Sequence, residues 1–312
     1  MSSTRIIIAG IGGVGGYFGG LLAHHYAQHP GAEIEFIARG KNLEAIRAHG
    51  LKVIQGSQEF VARPALATAN PADAGPADFI LLCTKGYDLE GMLEQLRPCI
   101  QRDTILLPLL NGVDSREWLR QTLPHNLVLD SCVYVVSRLL QPGVVENTGK
   151  IDKIYFGPED RETDRLKQLE RIFREAGIDA LLTPDIAPVM WEKFIFIAAV
   201  ATATSWFNKT IAELLTDESS LHHTLALIEE VKQVAKARGI KVAENMTELT
   251  LNKIKAIAPG TTSSMHSDYR QKKHQTELES LTGFVVREGR KFHVPTPTFD
   301  TAYQLLNKKR VT

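Results

Sequence analysis

The chain has 312 residues, and its 36 Lys plus Arg are matched by 36 Asp plus Glu, for a formal net charge of zero. No basic excess is available to neutralise a phosphate backbone, so nucleic-acid binding is excluded as a function class. The length suits two domains, and 44% hydrophobic with 23% charged residues is the balance of a globular protein.

The N-terminal residues 1–16 lack a signal-peptide layout, because glycines interrupt the apolar run. Short β-branched or apolar runs at 5–9, 33–38, 79–84, 104–110 and 127–137 read as strands, and helical patterns lie between them at 17–25, 42–49 and 89–99. This alternation predicts a Rossmann-type, doubly wound parallel sheet with helices on both faces. Beyond Asp179 the pattern turns helical, over 186–208, 211–215, 219–238, 242–258 and 268–292. The expected architecture is an α/β domain over 1–184 and an all-α domain over 185–312. The apolar run 194–207 is shorter than the roughly 20 residues of a spanning helix, so a membrane partner is not expected. The three cysteines, Cys83, Cys99 and Cys132, form no CxxC pair or metal-ligand spacing. Reduced thiols and a cytoplasmic location follow. His24 with His25, and His222 with His223, are neighbours on helices and diverge, so no metal site is expected.

Gly10, Gly12 and Gly15 spell GxGxxG around Gly13 and Val14, between a strand and a helix. That context is what the dinucleotide-binding turn requires. Gly10 allows the tight turn, Gly12 allows backbone to approach a pyrophosphate, and Gly15 allows helix to pack on strand. Gly16, Gly19 and Gly20 extend the small-residue face. The helix N-terminus offers free N–H groups to phosphate. At the end of the second strand, where NAD enzymes carry an acid for the ribose 2′-hydroxyl, stands Arg39, followed by Lys41. A guanidinium suits a 2′-phosphate, which favours NADP. The alternative is a solvated surface arginine.

These motifs, with others further along, carry a family resemblance. They are GIGGVGG from Gly10, IARG from Ile37, CTKGYD from Cys83, LNGV from Leu110, WEKF from Trp191, TSSMHSD from Thr262, TELESLTGFVV from Thr276 and HVPTPTFDTAYQLL from His293. In order and spacing the chain resembles the ketopantoate reductases (2-dehydropantoate 2-reductases). The resemblance implies NADPH-dependent reduction of a 2-oxo acid to a 2-hydroxy acid, 2-dehydropantoate to pantoate in pantothenate biosynthesis. It makes Lys193 the catalytic lysine, Glu277 the acid that holds the substrate hydroxyl, Ser264 a substrate-binding serine, and Lys85 and Asn111 cofactor-side residues, Asn111 also reaching substrate.

The residues themselves agree in part. Lys85 and Asn111 end apolar strands, where ligands of doubly wound sheets sit; a solvated loop lysine and an Asn-Gly turn are the alternatives. Lys193 lies near a helix start with no further charge before Lys209, so the helix dipole should ease loss of its proton, as a general acid needs. Glu277, among Glu279, Arg270, Lys272 and Lys273, reads by itself as a surface charge, and Ser263 with Ser264 as a helix cap. The chain departs from the family at Ile197, Ala201 and Thr261, where asparagines are usual, and Thr202 and Thr204 are not spaced to replace them. Reduction of another branched 2-oxo acid, and an NADP-binding sensor without turnover, therefore stand as alternatives. A homodimer is left open.

Overall fold

The computed structural model describes residues 3–149, 151–158 and 163–311. The chain divides into two compact units, Met1–Leu110 with Ser115–Ile186, and Asn111–Asp114 with Ala187–Thr312.

In the first unit the strands and helices follow as β1 (Thr4–Ala9), α1 (Gly13–Tyr26), β2 (Ala32–Ile37), α2 (Gly40–His49), β3 (Leu51–Gln55), β4 (Gln58–Ala62), β5 (Leu66–Thr68), β6 (Phe79–Leu82), α3 (Leu89–Leu96) and β7 (Ile105–Pro108). After α4 (Ser115–Thr122) come β8 (Asp130–Tyr134), β9 (Ser137–Gln141), β10 (Val144–Asn147), β11 (Lys153–Gly157), α5 (Asp164–Glu175) and β12 (Asp179–Leu182). Five strands form a parallel sheet in the order β5-β2-β1-β6-β7. Its central strands β1, β6 and β7 carry continuous apolar runs because both faces are covered. The two-residue period still sorts them: Ile6, Ile8 and Leu81 enter one core, and Ile7, Ile80 and Leu82 the other.

Two smaller sheets were not among the sequence expectations. One has the order β4-β3-β10-β9 and the other β12-β11-β8. The first lies on α1, where a Cβ on Gly16 or Gly20 would come 2.5 Å from Val145 or Val53 respectively. So a sheet, and not only helices, covers that side. The run 127–137, expected as one strand, is two: β8 pairs with β11 and β9 with β10, so the chain changes sheets between Tyr134 and Ser137. The helix expected over 89–99 gives way after Leu96 to a 3₁₀ turn, Arg97–Cys99. Pro98 cannot supply an α-helical N–H there.

The second unit contains α6 (Ile186–Phe207), α7 (Ile211–Thr216), α8 (Glu218–Ala237), α9 (Met246–Lys255), α10 (Ser264–Arg270), α11 (Phe284–Lys291) and α12 (Pro297–Val311), and no strand among its described residues. The expected single helix over 268–292 is interrupted. Residues 271–275, Gln-Lys-Lys-His-Gln, have no apolar side chain to bury and are all exposed, and a π-helical turn, Glu279–Gly283, leads into α11. α6 has 22 residues and is long and apolar enough to cross a membrane, so the argument from a short run fails. More than half of its most apolar window is buried within the fold, as expected of a helix that is apolar all round and serves as a core. Trp191 and Phe194 pack edge-on at 5.4 Å, and Phe194 meets Phe284 at the same centroid distance.

A buried polar network ties the C-terminal end of α6 to the start of α10. His266, 2% exposed, lies 2.9 Å from Asn208 Oδ1 through Nε2 and 2.5 Å from Thr262 Oγ1 through Nδ1. With Nε2 donating to the amide oxygen, Nδ1 is left to accept from the hydroxyl, which selects the neutral ring. Ser263 Oγ accepts from the His266 N–H at 3.1 Å and meets Thr204 Oγ1 at 2.7 Å.

Two outcomes test this packing. Phe194→Ala should cost about 3–5 kcal/mol, read by denaturant unfolding of the second unit. A loss below about 1 kcal/mol, the scale of a surface change, would take Phe194 out of the core. Burial, with Arg270 and Lys309 nearby, holds the His266 pKa below its ordinary 6.5, against the opposing pull of Glu213. The unfolded chain then takes up the proton first, so this stability is present above pH 6.5 and lost as pH falls through the folded pKa. Unfolding midpoints between pH 8 and 5 should fall more steeply for the wild type than for His266→Gln, and parallel curves would show that His266 stays uncharged for another reason.

Candidate active site

In the first unit the turn after β1 is built from glycines with different tasks. Gly10 has φ +100°, a conformation glycine adopts freely, and a Cβ there would stand 3.1 Å from Thr84. A Cβ on Gly13 would strike the Ser137 carbonyl, and one on Gly15 the Gly10 carbonyl and, at 2.7 Å, Cys83 Cβ. Val14, between them, is half-buried and packs on the core. Gly12 differs: nothing lies within 4 Å of where its Cβ would be. It is the N-cap of α1 and offers no side-chain cap, and the helical ladder starts with Gly16 N–H to Gly12 O at 2.9 Å. An open backbone concavity at an uncapped helix start fits a pyrophosphate.

Arg39 follows β2 as the N-cap of α2, with a 77% exposed side chain. Its Nη2 lies 3.5 Å from Asp88 Oδ2. Lys85, half-buried, and Asp88 bracket the 3₁₀ turn after β6. β2 and β6 flank β1 in the sheet, so Arg39, Lys85 and the glycine turn gather at the carboxyl ends of three adjacent strands. The sequence reading passed over Asp88, because a lone acid before a helix carries no signal until its neighbour across the sheet is known.

The second unit holds the other expected residues. Asn111, in the segment that clusters with this unit, accepts a hydrogen bond from Lys193 Nζ at 3.1 Å. Gly112 has φ +98°, and a Cβ there would lie 3.8 Å from Ser280 Cβ. Ser263 N-caps α10, which leaves the Ser264 hydroxyl free to donate to Glu277 Oε2 at 3.4 Å. Glu277 is not a surface charge: it is 4% exposed, just ahead of the π turn. Its carbonyl accepts from Leu281 N–H at 3.1 Å and from Ser280 Oγ at 3.3 Å. Ser280 therefore touches both the Gly112 turn and the Glu277 backbone, a placement that its position in the chain does not reveal. Thr261 is exposed, with its carbonyl bound to Ile211 N–H at 3.0 Å.

One sequence argument needs correction. Lys193 is the eighth residue of α6, which starts at Ile186. The field of a helix end fades within the first turn, so the dipole does not act strongly on it. Ile197 and Ala201, one and two turns on, put apolar groups on the face that carries Lys193. Thr202, buried, bonds buried Thr282 at 2.7 Å, and buried Thr204 bonds half-buried Ser263, so neither hydroxyl replaces a missing asparagine. Among the described residues no cluster of three or more His, Cys, Asp or Glu forms a metal site.

Comparison with known proteins gives the family. A family model described as ketopantoate reductase PanE/ApbA matches residues 6–161, and its C-terminal counterpart matches 185–310. The chain is 36% identical in sequence to 2-dehydropantoate 2-reductase from Porphyromonas gingivalis W83, whose crystal structure superposes with a TM-score of 0.86 over 98% of this chain and 100% of that one. It is 26% identical over 300 residues to the uncharacterized oxidoreductase YkpB of Bacillus subtilis, covering 96% of each. The fold is shared with D-mandelate dehydrogenase in its ternary structure with NADH and anilino(oxo)acetate, at a TM-score of 0.85 and 24% identity over 99% of this chain and 99% of that one. The chain is thus an oxidoreductase and belongs to the ketopantoate reductase family.

Proposed function

We propose that the chain reduces a 2-oxo acid to the 2-hydroxy acid with NADPH, with 2-dehydropantoate as the substrate and pantoate as the product. The observation that carries this reading is the pairing of Lys193 with Asn111 at 3.1 Å; the same unit holds a buried carboxylate, Glu277, that accepts from Ser264. The first unit, from its N-terminus to about residue 184, is assigned to the nucleotide: the pyrophosphate to Gly10, Gly12, Gly13, Val14 and Gly15, the 2′-phosphate to Arg39, and Lys85 to the same coenzyme. A bound nicotinamide supplies a hydride.

When the carbonyl carbon gains the hydride's electron pair, the C=O π bond breaks and negative charge gathers on oxygen. Lys193 gives that oxygen a proton, so the hydride completes the new C–H bond and the proton completes the hydroxyl. Asn111 Oδ1 fixes the ammonium in place beforehand, and a preorganised cation stabilises developing charge without having to reorient. Ser264, whose one hydroxyl proton goes to Glu277 in the free chain, turns it to the substrate carboxylate. The Glu277 oxygen so released accepts from the new hydroxyl. A cytoplasmic location accompanies this reading, since all three cysteines are free.

A second substrate reading has its own observation. Ile197 and Ala201 line the Lys193 face of α6 without a hydrogen-bond donor, which suits a 2-oxo acid with a bulkier, wholly apolar side chain. The two differ in what the substrate's 4-hydroxyl would find, because a buried hydroxyl without a partner is costly.

NADPH oxidation against a panel of ketopantoate, branched aliphatic 2-oxo acids and phenylglyoxylate separates them. Ketopantoate should give the highest kcat/KM, and preference for an apolar acid would move the assignment to the second reading. On the best substrate, Lys193→Ala should lower kcat by about 10²–10⁴-fold while NADPH still binds, the range of general acid catalysis. Turnover within a few-fold of wild type would mean the proton comes from another group.

A further inference from the structure

The Arg39–Asp88 pair has a consequence for the coenzyme. We propose that Asp88 is a specificity-determining residue, one that weakens the preference for NADPH and admits NADH to the same site. This rests on the reading above, in which Arg39 receives the 2′-substituent of the adenosine ribose.

Asp88 and Arg39 come from the ends of different strands. Arg39 follows β2, Asp88 closes the turn after β6, and β1 with the glycine turn runs between them. Their side chains meet at 3.5 Å in a solvent-accessible place, with 77% of Arg39 and 36% of Asp88 exposed. A ligand at the guanidinium therefore also meets the carboxylate.

The two coenzymes present opposite chemistry there. The 2′-phosphate of NADPH brings close to two negative charges, which are drawn to Arg39 and repelled by Asp88. It must share or displace the carboxylate before it gains a forked contact. The 2′-hydroxyl of NADH is a neutral donor. A carboxylate is what such a hydroxyl binds in NAD-selective sheets, where the acid stands at the end of the second strand. Here that strand end is basic, and the acid arrives from the end of β6 on the other side of β1. Asp88 therefore acts on both coenzymes in the same direction, against the phosphate and toward the hydroxyl. Lys41, exposed two residues after Arg39, adds positive charge that keeps NADPH binding.

The test is direct binding, without substrate. NADPH and NADH are titrated by fluorescence into wild type, Asp88→Asn and Arg39→Ala, with 2′,5′-ADP and 5′-ADP as competing probes that lack nicotinamide. Asn keeps the shape and removes the charge. In Asp88→Asn, NADPH and 2′,5′-ADP should bind roughly three- to fivefold tighter and NADH weaker by a similar factor, the scale of one exposed charge interaction. The gain for 2′,5′-ADP should shrink as salt is raised. In Arg39→Ala, NADPH should weaken while NADH holds. If Asp88→Asn leaves the NADPH to NADH ratio within twofold of wild type while Arg39→Ala lowers it, Asp88 has no part in selection and the Arg39 reading stands alone. If Arg39→Ala leaves both coenzymes unchanged, the 2′-phosphate assignment itself fails, and the proposal with it.

Discussion

Everything in the first unit depends on how closely α1 starts against the end of β1. The helix begins where the Gly10 carbonyl, the Cys83 side chain and the Ser137 backbone leave no volume for a Cβ at residues 13 and 15. Such contact brings the helix start over the sheet at the point where its strands end. Further along the same helix, Gly16 and Gly20 admit Val145 and Val53 of the second sheet. One run of small residues thus anchors a helix to two sheets. Gly12 is the exception at this turn, a position that protein atoms do not crowd.

The second unit rests on α6 in a comparable way. Its all-round apolar surface buries Trp191, Phe194, Ala198 and Ala199, and the charged Lys193 leaves this core to reach Asn111. Its far end holds Thr204 and Asn208, which with His266 and Ser263 set where α10 begins. Because Ser263 is spent as the cap, Ser264 is the hydroxyl left for Glu277. Placing a carboxylate out of water beside a hydroxyl donor is affordable only with partners, and the Ser264 contact is one of them.

Much of this was legible in the sequence. The glycine turn is recognisable because its spacing falls between a strand and a helix, where steric demands at Gly10 and Gly15 exclude a side chain. α6 shows itself by 23 residues of mostly apolar composition over 186–208. Less legible was whatever depends on contacts distant in the chain. The burial of Glu277 cannot be inferred from a stretch rich in Lys and Glu, since its partner Ser264 is thirteen residues away, across an exposed polar segment. Asp88 has meaning only beside Arg39. The hairpin β3–β4 was available, because Gly56 and Ser57 lie between paired Gln55 and Gln58 and Gly56 has φ +60°. A two-residue Gly-Ser loop is a recognised hairpin connection. The helix dipole at Lys193 was misjudged by counting charges along the helix, not turns from its end.

The π turn at Glu279–Gly283 carries a further consequence. A regular α-helix advances about 100° per residue, so the angular phase of its first turn dictates that of every later one. The turn here holds one more residue than an α turn, with Gly283 N–H reaching back five positions to Leu278 O at 2.8 Å. The segment around Glu277 and the apolar face of α11, with Phe284 and Val285, are thereby out of phase with each other. The extra residue lets the Glu277 carboxylate point one way while Phe284 and Val285 keep their places in the core, an arrangement that an unbroken α-helix of the same length would not give.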